Sequence, residues 1–415
     1  MKRLVILGAG ESGCGAAVLA KQKGYDVFVS DMGKIKPEYK ALLEKYNIAY
    51  EEGKHTEELI INADEIVKSP GIPNNAPILQ SYRELCERSH SEADSRQSEC
   101  TKIISEIEFA ARYTDAKMIC ITGSNGKTTT TSLIYDILLR AGYNVGLAGN
   151  IGQSFALQVA TTKRDYYVIE LSSFQLDNMY HFRAAVAVLM NITPDHLDRY
   201  DYCFHNYADA KMRITRNQTA QDCFIYWADD RVIEEELTRT ATQATLMPFT
   251  LSTPLPVADS EIYIQGKHNR LNATAATLAA RAVGVRDEVI AWSLLHFKGV
   301  EHRLQYVATV DGVRYVNDSK ATNVDSCYYA LDAMTTPVVL ILGGKDKGND
   351  YSQIDRLVRQ KCHTIVYMGL NNEPLHKHFD SMGLQIIDTH NLQDAMKAPR
   401  SRRARRHHGP GPVAQ

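Results

Sequence analysis

Seven consecutive residues, Gly123-Ser124-Asn125-Gly126-Lys127-Thr128-Thr129, combine two glycines, one lysine and three hydroxyls. A glycine turn feeding a helix presents backbone amides to phosphate oxygens, and the helix N-terminus adds favourable partial charge. Lys127 is placed to reach the terminal phosphates, and Thr128 to offer its hydroxyl to Mg²⁺, so the segment reads as an ATP loop. Its GxxGKT spacing is two residues tighter than the usual phosphate loop. A chance strand–turn–helix is the bland alternative, and the Lys-Thr pair at the right place weighs against it.

Two further groups stand where such chemistry would need them. Glu170 closes the apolar run Tyr166 to Leu171, and His196 follows the run Ala185 to Asn191. The C-terminal ends of parallel strands line the crevice in which α/β sheets bind ligands, so a carboxylate there can hold Mg²⁺ and the histidine can serve as a second ligand or substrate contact. Either residue alone would be read as a solvated side chain. Lys211, in HNYADAKMRI, lies on a predicted helix and reads by default as a surface lysine. Asn150, in Gly149-Asn150-Ile151-Gly152, could belong to a bare turn. Asn269 and Asn272 precede an alanine-rich helix, where helix capping competes with ligand binding. At the N-terminus, GAGESGCG follows a strand and precedes a helix, which by motif alone suggests a nicotinamide dinucleotide site with Asp31 on a ribose.

The elements positioning these residues follow from three repeats of one pattern, a β-branched run, glycines, then a helical stretch, which predict parallel α/β units. The expected fold class is therefore α/β in three domains. A Rossmann-like domain over 1–102 starts with strands Leu4–Leu7 and Asp26–Ser30 and ends with a strand at Glu65–Lys68; its polar stretch 81–101 is expected to be irregular. A central ATPase-type parallel sheet spans 103–298. A third, Rossmann-like domain over 299–397 opens with a strand at Arg303–Val310 and continues with strands at Val338–Leu342 and Thr364–Met368. Residues 398–415, with five arginines and no acid, are expected to form a disordered basic tail.

Composition narrows the class. The 415 residues are 44% hydrophobic and 23% charged, with a formal net charge of -2, which argues against disorder and gives no reason to expect a nucleic-acid partner. No apolar run approaches a membrane span, and the N-terminal MKRLVILGAGESG lacks a cleavage site for export. Eight cysteines without a CxxC pair suggest neither zinc nor disulfides. A cytoplasmic, monomeric enzyme is the expectation from composition.

GSNGKTT resembles the ATP loop of the Mur ligases and folylpolyglutamate synthetases. Glu170-Leu171-Ser172-Ser173-Phe174-Gln175-Leu176, Asn191-Ile192-Thr193-Pro194-Asp195-His196-Leu197-Asp198-Arg199 and Asn317-Asp318-Ser319-Lys320-Ala321-Thr322-Asn323 narrow it to the D-glutamate-adding Mur ligases, over about residues 1–397 without 81–101. The resemblance implies three small-molecule substrates: ATP, D-glutamate and UDP-N-acetylmuramoyl-L-alanine, a precursor of peptidoglycan. Joining a carboxylate to an amine in water requires activation, here as an acyl phosphate, and phosphoryl transfer depends chiefly on positioning and charge neutralisation.

Residue by residue, the resemblance implies that Gly123 to Thr129, Asn269, Asn272, Arg303 and Asp318 serve ATP, with Asp318 facing the ribose. Lys127, Glu170, His196 and Lys211 form its catalytic group, and two Mg²⁺ sites draw on Thr128, Glu170, His196 and Lys211, the lysine as an N-carboxylated side chain. Gly13, Ser30, Asp31, Gly71 and Asn150 fall to the UDP-sugar, replacing the nicotinamide reading, and Lys320, Thr322 and Lys347 to the amino acid. A folylpolyglutamate synthetase is the alternative, against which the Rossmann-like unit before the ATP loop speaks. Family members continue beyond a helix like Leu392–Lys397 into a last strand and a Ser-Pro-Ala-Cys-Ala-Ser loop on D-glutamate, absent here. The expectation is a weakened third domain that binds nucleotides with little or no ligation, a non-catalytic remnant at the extreme.

Overall fold

The computed structural model describes residues 1–88, 103–344 and 349–397, which divide into two compact units. The first unit, residues 1–264 and 268–300, holds two parallel sheets. In the N-terminal sheet, β1 (Arg3–Leu7), β2 (Asp26–Asp31), β3 (Ala49–Glu52), β4 (Glu65–Lys68) and β5 (Ile103–Ile104) lie in the order β3-β2-β1-β4-β5. The order reverses between β1 and β4, so the glycine turn after β1 and the Ser69-Pro70-Gly71 turn after β4 open side by side.

Helix Glu11–Gln22 packs against this sheet with glycines and alanines on its inner face. A Cβ on Gly13 would run into the Gly8 carbonyl, and one on Gly15 into the Ser154 hydroxyl. The N-terminal fingerprint therefore has a packing reason for its glycines, one holding helix to strand and the other bringing the two sheets of the unit together. A single apolar cluster accordingly runs from Leu4 and Ile6 through Val18 and Phe109 to Phe155, Ile169 and Leu189.

The central sheet contains β6 (Lys117–Thr122), β7 (Val145–Gly149), β8 (Tyr166–Glu170), β9 (Val186–Leu189), β10 (Cys223–Trp227) and β11 (Thr245–Phe249), ordered β11-β10-β9-β6-β8-β7. Its middle strands read ICI, VI and VAVL and are buried, as parallel strands covered on both faces require. β6 lies between β8 and β9, so the chain leaving β6 enters the crevice between their C-terminal ends. The second unit, described by itself, contains an antiparallel hairpin, β12 (Gln305–Val310) with β13 (Val313–Asn317), and a parallel sheet of β14 (Val338–Leu342), β15 (Cys362–Met368) and β16 (Gln385–Thr389) in that order.

Three expectations change. Part of the stretch expected to be irregular belongs to a helix, Pro77–Arg88, because Leu79, Tyr82 and Cys86 recur at helical spacing and are buried; counting aliphatics alone missed the tyrosine and cysteine. Residues 89–102 lie outside the described residues. The N-terminal sheet does not end at β4, since Ile103 and Ile104 pair with Ile66 and Val67 and carry it past residue 102. The strand expected at Arg303 starts at Gln305 and joins a hairpin rather than the parallel sheet, its turn made by Asp311 and Gly312 at positive φ. The expected tail at 398–415 is likewise outside the described residues. Seven cysteines are described, all free, and no described helix is long and apolar enough to cross a membrane.

One buried acid marks the joint inside the first unit. Glu106 Oε1 accepts the Ser154 hydroxyl at 2.6 Å and the Ala156 amide at 2.7 Å, while Glu11 accepts the Ser154 amide at 3.1 Å. Burial pushes the Glu106 carboxyl up to about 7, against the pull of the Ala156 and Ser154 donors. The folded chain thus retains a proton that the unfolded chain loses above its ordinary value of 4.5, and stability falls as pH rises between 4.5 and about 7. Denaturant titrations at pH 5 and pH 8 are expected to show Glu106→Gln losing less stability over that interval than the unsubstituted chain, by on the order of 2–3 kcal/mol. Equal losses would show that Glu106 is not the group responsible.

Candidate active site

The turn after β6 is built on two left-handed glycines, Gly123 at φ 148° and Gly126 at φ 85°. Behind Gly123 stand the Met190 side chain and the Asn191 backbone, which leave no room for a Cβ. At Gly126 a Cβ would come within 2.5 Å of Asn272 Oδ1. The loop is pinned to the end of β9: Ser124 N–H donates to the Asn191 carbonyl at 2.9 Å, and Asn125 N–H to Asn191 Oδ1 at 2.8 Å. The Ser124 hydroxyl donates to the Thr193 carbonyl at 2.7 Å and lies 3.0 Å from the Tyr207 hydroxyl. Helix Lys127–Arg140 then starts directly after Gly126, with Thr128 and Thr129 buried in its first turn.

Two lysines converge on the loop. Lys127 Nζ donates to the Gly123 and Ser124 carbonyls at 2.8 and 2.9 Å, and Lys211 Nζ donates to the Gly123 carbonyl at 2.7 Å. Lys211 is no surface residue: helix Phe204–Met212 buries it to 1% exposure, with its amine 4.5 Å from the centre of the Tyr207 ring. Burial first, then the nearby Lys127 charge, holds that amine well below the ordinary lysine range.

On the other side of β6, Glu170 ends β8 in register with Ile121 and is 1% exposed. Its Oε1 accepts Asn150 Nδ2 at 2.8 Å, whereas Oε2 is buried with no hydrogen-bond partner. A buried carboxylate oxygen without a donor is open to a water, a ligand or a cation. Among the described residues no three His, Cys, Asp or Glu side chains converge; Mg²⁺ commonly takes one or two carboxylates and keeps several waters, and Glu170 supplies one such carboxylate. His196 sits in the left-handed region at φ 52°, with its ring 5.2 Å from that of Phe174 and edge-on to it. Neither Asn269 nor Asn272 is an N-cap, because their helix already begins at Lys267; Asn272 instead receives the Thr130 hydroxyl at 3.3 Å and donates to Asn269 Oδ1 at 3.1 Å.

Comparison with known proteins settles the family. Residues 3–78 match the MurD N-terminal domain, 121–253 the Mur ligase middle domain and 302–407 the Mur ligase glutamate ligase domain. The UDP-N-acetylmuramoylalanine–D-glutamate ligase of Bacteroides fragilis is 57% identical over 96% of this chain and 91% of its own length. The enzyme of that name from Porphyromonas gingivalis is 52% identical over 95% and 89%. The chain belongs to the Mur ligase family. Among solved structures, the UDP-N-acetylmuramate–alanine ligase of Thermotoga maritima shares the fold at a TM-score of 0.60 and 18% identity, over 96% of this chain and 92% of that one. A folylpolyglutamate synthase of Mycobacterium tuberculosis shares it at 0.56 and 15%, over 70% and 84%.

Within the first unit, Lys211 and Asn272 are grouped around the Gly123–Thr129 loop. The N-terminal residues stand apart around the turn after β1. Asp31 accepts the Ala9 and Gly33 amides at 2.6 and 2.7 Å, so its carboxylate shapes that turn. Ser30 is buried, its hydroxyl donating to Glu51 Oε1 at 2.7 Å, and Gly71 is exposed in the turn after β4. In the second unit, Asp318 Oδ1 accepts the Leu304 amide at 3.0 Å; burial raises its pKa and the Arg303 charge opposes this. Lys320 and Thr322 are exposed on the segment after β13, and Lys347 lies outside the described residues. Sequence reasoning quoted Asn191 and Tyr207 within longer motifs and assigned neither a role. Their signal was position, at a strand end and one helical turn before Lys211. Gly126→Ala is expected to weaken ATP binding at least about tenfold, through strain at positive φ and collision with Asn272. Calorimetric titration giving an unchanged dissociation constant would refute this account of the loop.

Proposed function

We propose that this Mur ligase joins the amine of D-glutamate to the carboxylate of UDP-N-acetylmuramoyl-L-alanine in an ATP-dependent reaction of peptidoglycan precursor synthesis. The observation that carries the proposal is the convergence of the Gly123–Thr129 loop, the partnerless Glu170 oxygen and the buried Lys211 on one end of the central sheet, in a chain whose close relatives bear that enzyme name. In this reading a substrate carboxylate oxygen attacks the γ-phosphorus as ADP departs; the amine nitrogen then attacks the acyl carbon, and phosphate leaves as the nitrogen loses a proton.

The chain's own residues divide this work. The loop amides and Lys127 hold and neutralise the phosphates, and Asn269 and Asn272 lie on the adenine side. Mg²⁺, when bound, would draw charge from the transferring phosphoryl group, with Thr128, Glu170 and His196 as its protein ligands. Lys211 has a second ligand role in the proposal. An amine kept neutral by burial can add carbon dioxide, and the resulting carbamate would make two metal sites. Gly13, Ser30, Asp31, Gly71 and Asn150 line the path of the UDP-sugar. Arg303 and Asp318 serve ATP, and Lys320, Thr322 and Lys347 the amino acid.

A second reading, nucleotide binding with little ligation, draws on the second unit. The five aliphatics of β14 are only half-buried, and among the described residues the strand pairs with β15 alone, which leaves its other edge open. Release of ADP that requires both UDP-N-acetylmuramoyl-L-alanine and D-glutamate supports the ligase; tight binding of ATP and the UDP-sugar without such release supports the second reading. In an active preparation, Glu170→Gln is expected to lower kcat by at least about a hundredfold while the fold persists, because the amide replaces a buried carboxylate oxygen that has no hydrogen-bond partner at the end of β8. Retention of more than a tenth of the activity would exclude a metal role for Glu170.

A further inference from the structure

The sequence between His196 and Tyr200 carries an arginine to which the ATP-site chemistry assigns no task. Arg199 reaches across the first unit and donates three long hydrogen bonds to consecutive carbonyls of the turn after β4: Pro70 at 3.4 Å, Gly71 at 3.5 Å and Ile72 at 3.3 Å. Its guanidinium also lies 4.4 Å from the centre of the Phe174 ring. Phe174 meets the His196 ring edge-on at 5.2 Å and stacks on Tyr200 at 6.0 Å with an interplanar angle of 13°. One side chain therefore touches the turn assigned to the sugar nucleotide and the aromatic wall behind the candidate metal ligand.

The surroundings fix the guanidinium rather than merely tolerate it. Buried Lys68 donates to the same Ile72 carbonyl at 2.8 Å, so two cations share one acceptor. Burial, and then the Arg199 charge, lowers the Lys68 amine to about 8. Asp177 supplies the opposite charge nearby and is held by the Tyr200 hydroxyl at 3.0 Å. A planar, forked guanidinium spreads its donors over neighbouring carbonyls and presents a flat face to the Phe174 ring at the same time, a shape the compact ammonium of lysine does not have.

We propose that Arg199 is a positioning residue that ties the 70–72 turn to Phe174 and, through that ring, sets the orientation of His196, so that sugar-nucleotide binding and the phosphate end of the site are aligned together. The inference rests on the ligase reading given above. Arg199 touches no reacting atom in this account, so its loss should appear in the sugar-nucleotide parameters and in turnover, with ATP binding spared.

The test compares Arg199→Gln and Arg199→Lys with the unsubstituted protein, by calorimetric binding of UDP-N-acetylmuramoyl-L-alanine and of ATP, and by steady-state kinetics. Both variants are expected to raise KM for the sugar nucleotide at least about tenfold and to lower kcat about fivefold, with the ATP dissociation constant within about twofold and the thermal midpoint within about 2 °C. Full function in the lysine variant would overturn the proposal, since charge without the fork and the stacking plane would then suffice. Equal weakening of ATP and sugar-nucleotide binding would overturn it too, marking a structural role only. Should Arg199→Gln fail to fold, Phe174→Leu removes the platform while leaving the arginine, and an unchanged sugar-nucleotide KM in that variant counts against the coupling. An unsubstituted protein that binds no sugar nucleotide instead defeats the ligase reading, whatever the variants do.

Discussion

Everything at the centre of this molecule depends on one carbonyl. The Gly123 oxygen accepts hydrogen bonds from both Lys127 and Lys211, at 2.8 and 2.7 Å. A tight turn of glycines leaves carbonyls with no helix or strand to satisfy them, and a buried carbonyl without a donor is costly. Two ammonium groups on one acceptor repel each other, and that repulsion adds to burial in holding Lys211 toward its neutral form. The same contact thus shapes the glycine loop and helps keep the Lys211 amine below the ordinary lysine range.

That arrangement in turn follows from strand order. With β6 between β8 and β9, Glu170 and Asn191 stand on either side of the loop although the sequence separates them by some twenty residues. The N-terminal sheet repeats the principle on a smaller scale, its reversal between β1 and β4 opening the turn at 69–72. The two crevices can cooperate only if their sheets are held in register. Close approach at Gly15 and Ser154, the Glu106 hydrogen bonds and the reach of Arg199 all act at that joint.

The second unit follows the same α/β logic with less burial. Ile365, Val366 and Tyr367 of β15 are buried, whereas β14, aliphatic throughout, remains half-exposed at the sheet edge. A parallel strand reaches full burial only when both neighbours and both faces are covered. Composition alone would have ranked β14 above β15, which carries His363 and Thr364.

What the sequence by itself determined is considerable, and the reason is locality. Gly123 to Thr129 is contiguous, its glycines are required by backbone angles, and a loop of that kind between a strand and a helix has few other uses. In the two main sheets, β1, β2, β4, β6, β8 and β9 were legible from their β-branched runs to within one or two residues, whereas β3, β5, β7, β10 and β11 were not read from the sequence; the family was legible from ordered motifs. Tertiary structure decided the rest. Lys211 reads as a surface residue until helix Phe204–Met212 turns it against Gly123, and the helix at Pro77–Arg88 appears only once Tyr82 and Cys86 find a sheet to cover. Asn272 and Arg199 take their meaning from Gly126 and from the 70–72 turn, each more than a hundred residues away. Burial and long-range acceptors depend on how the chain is folded back upon itself, and no local spacing records them.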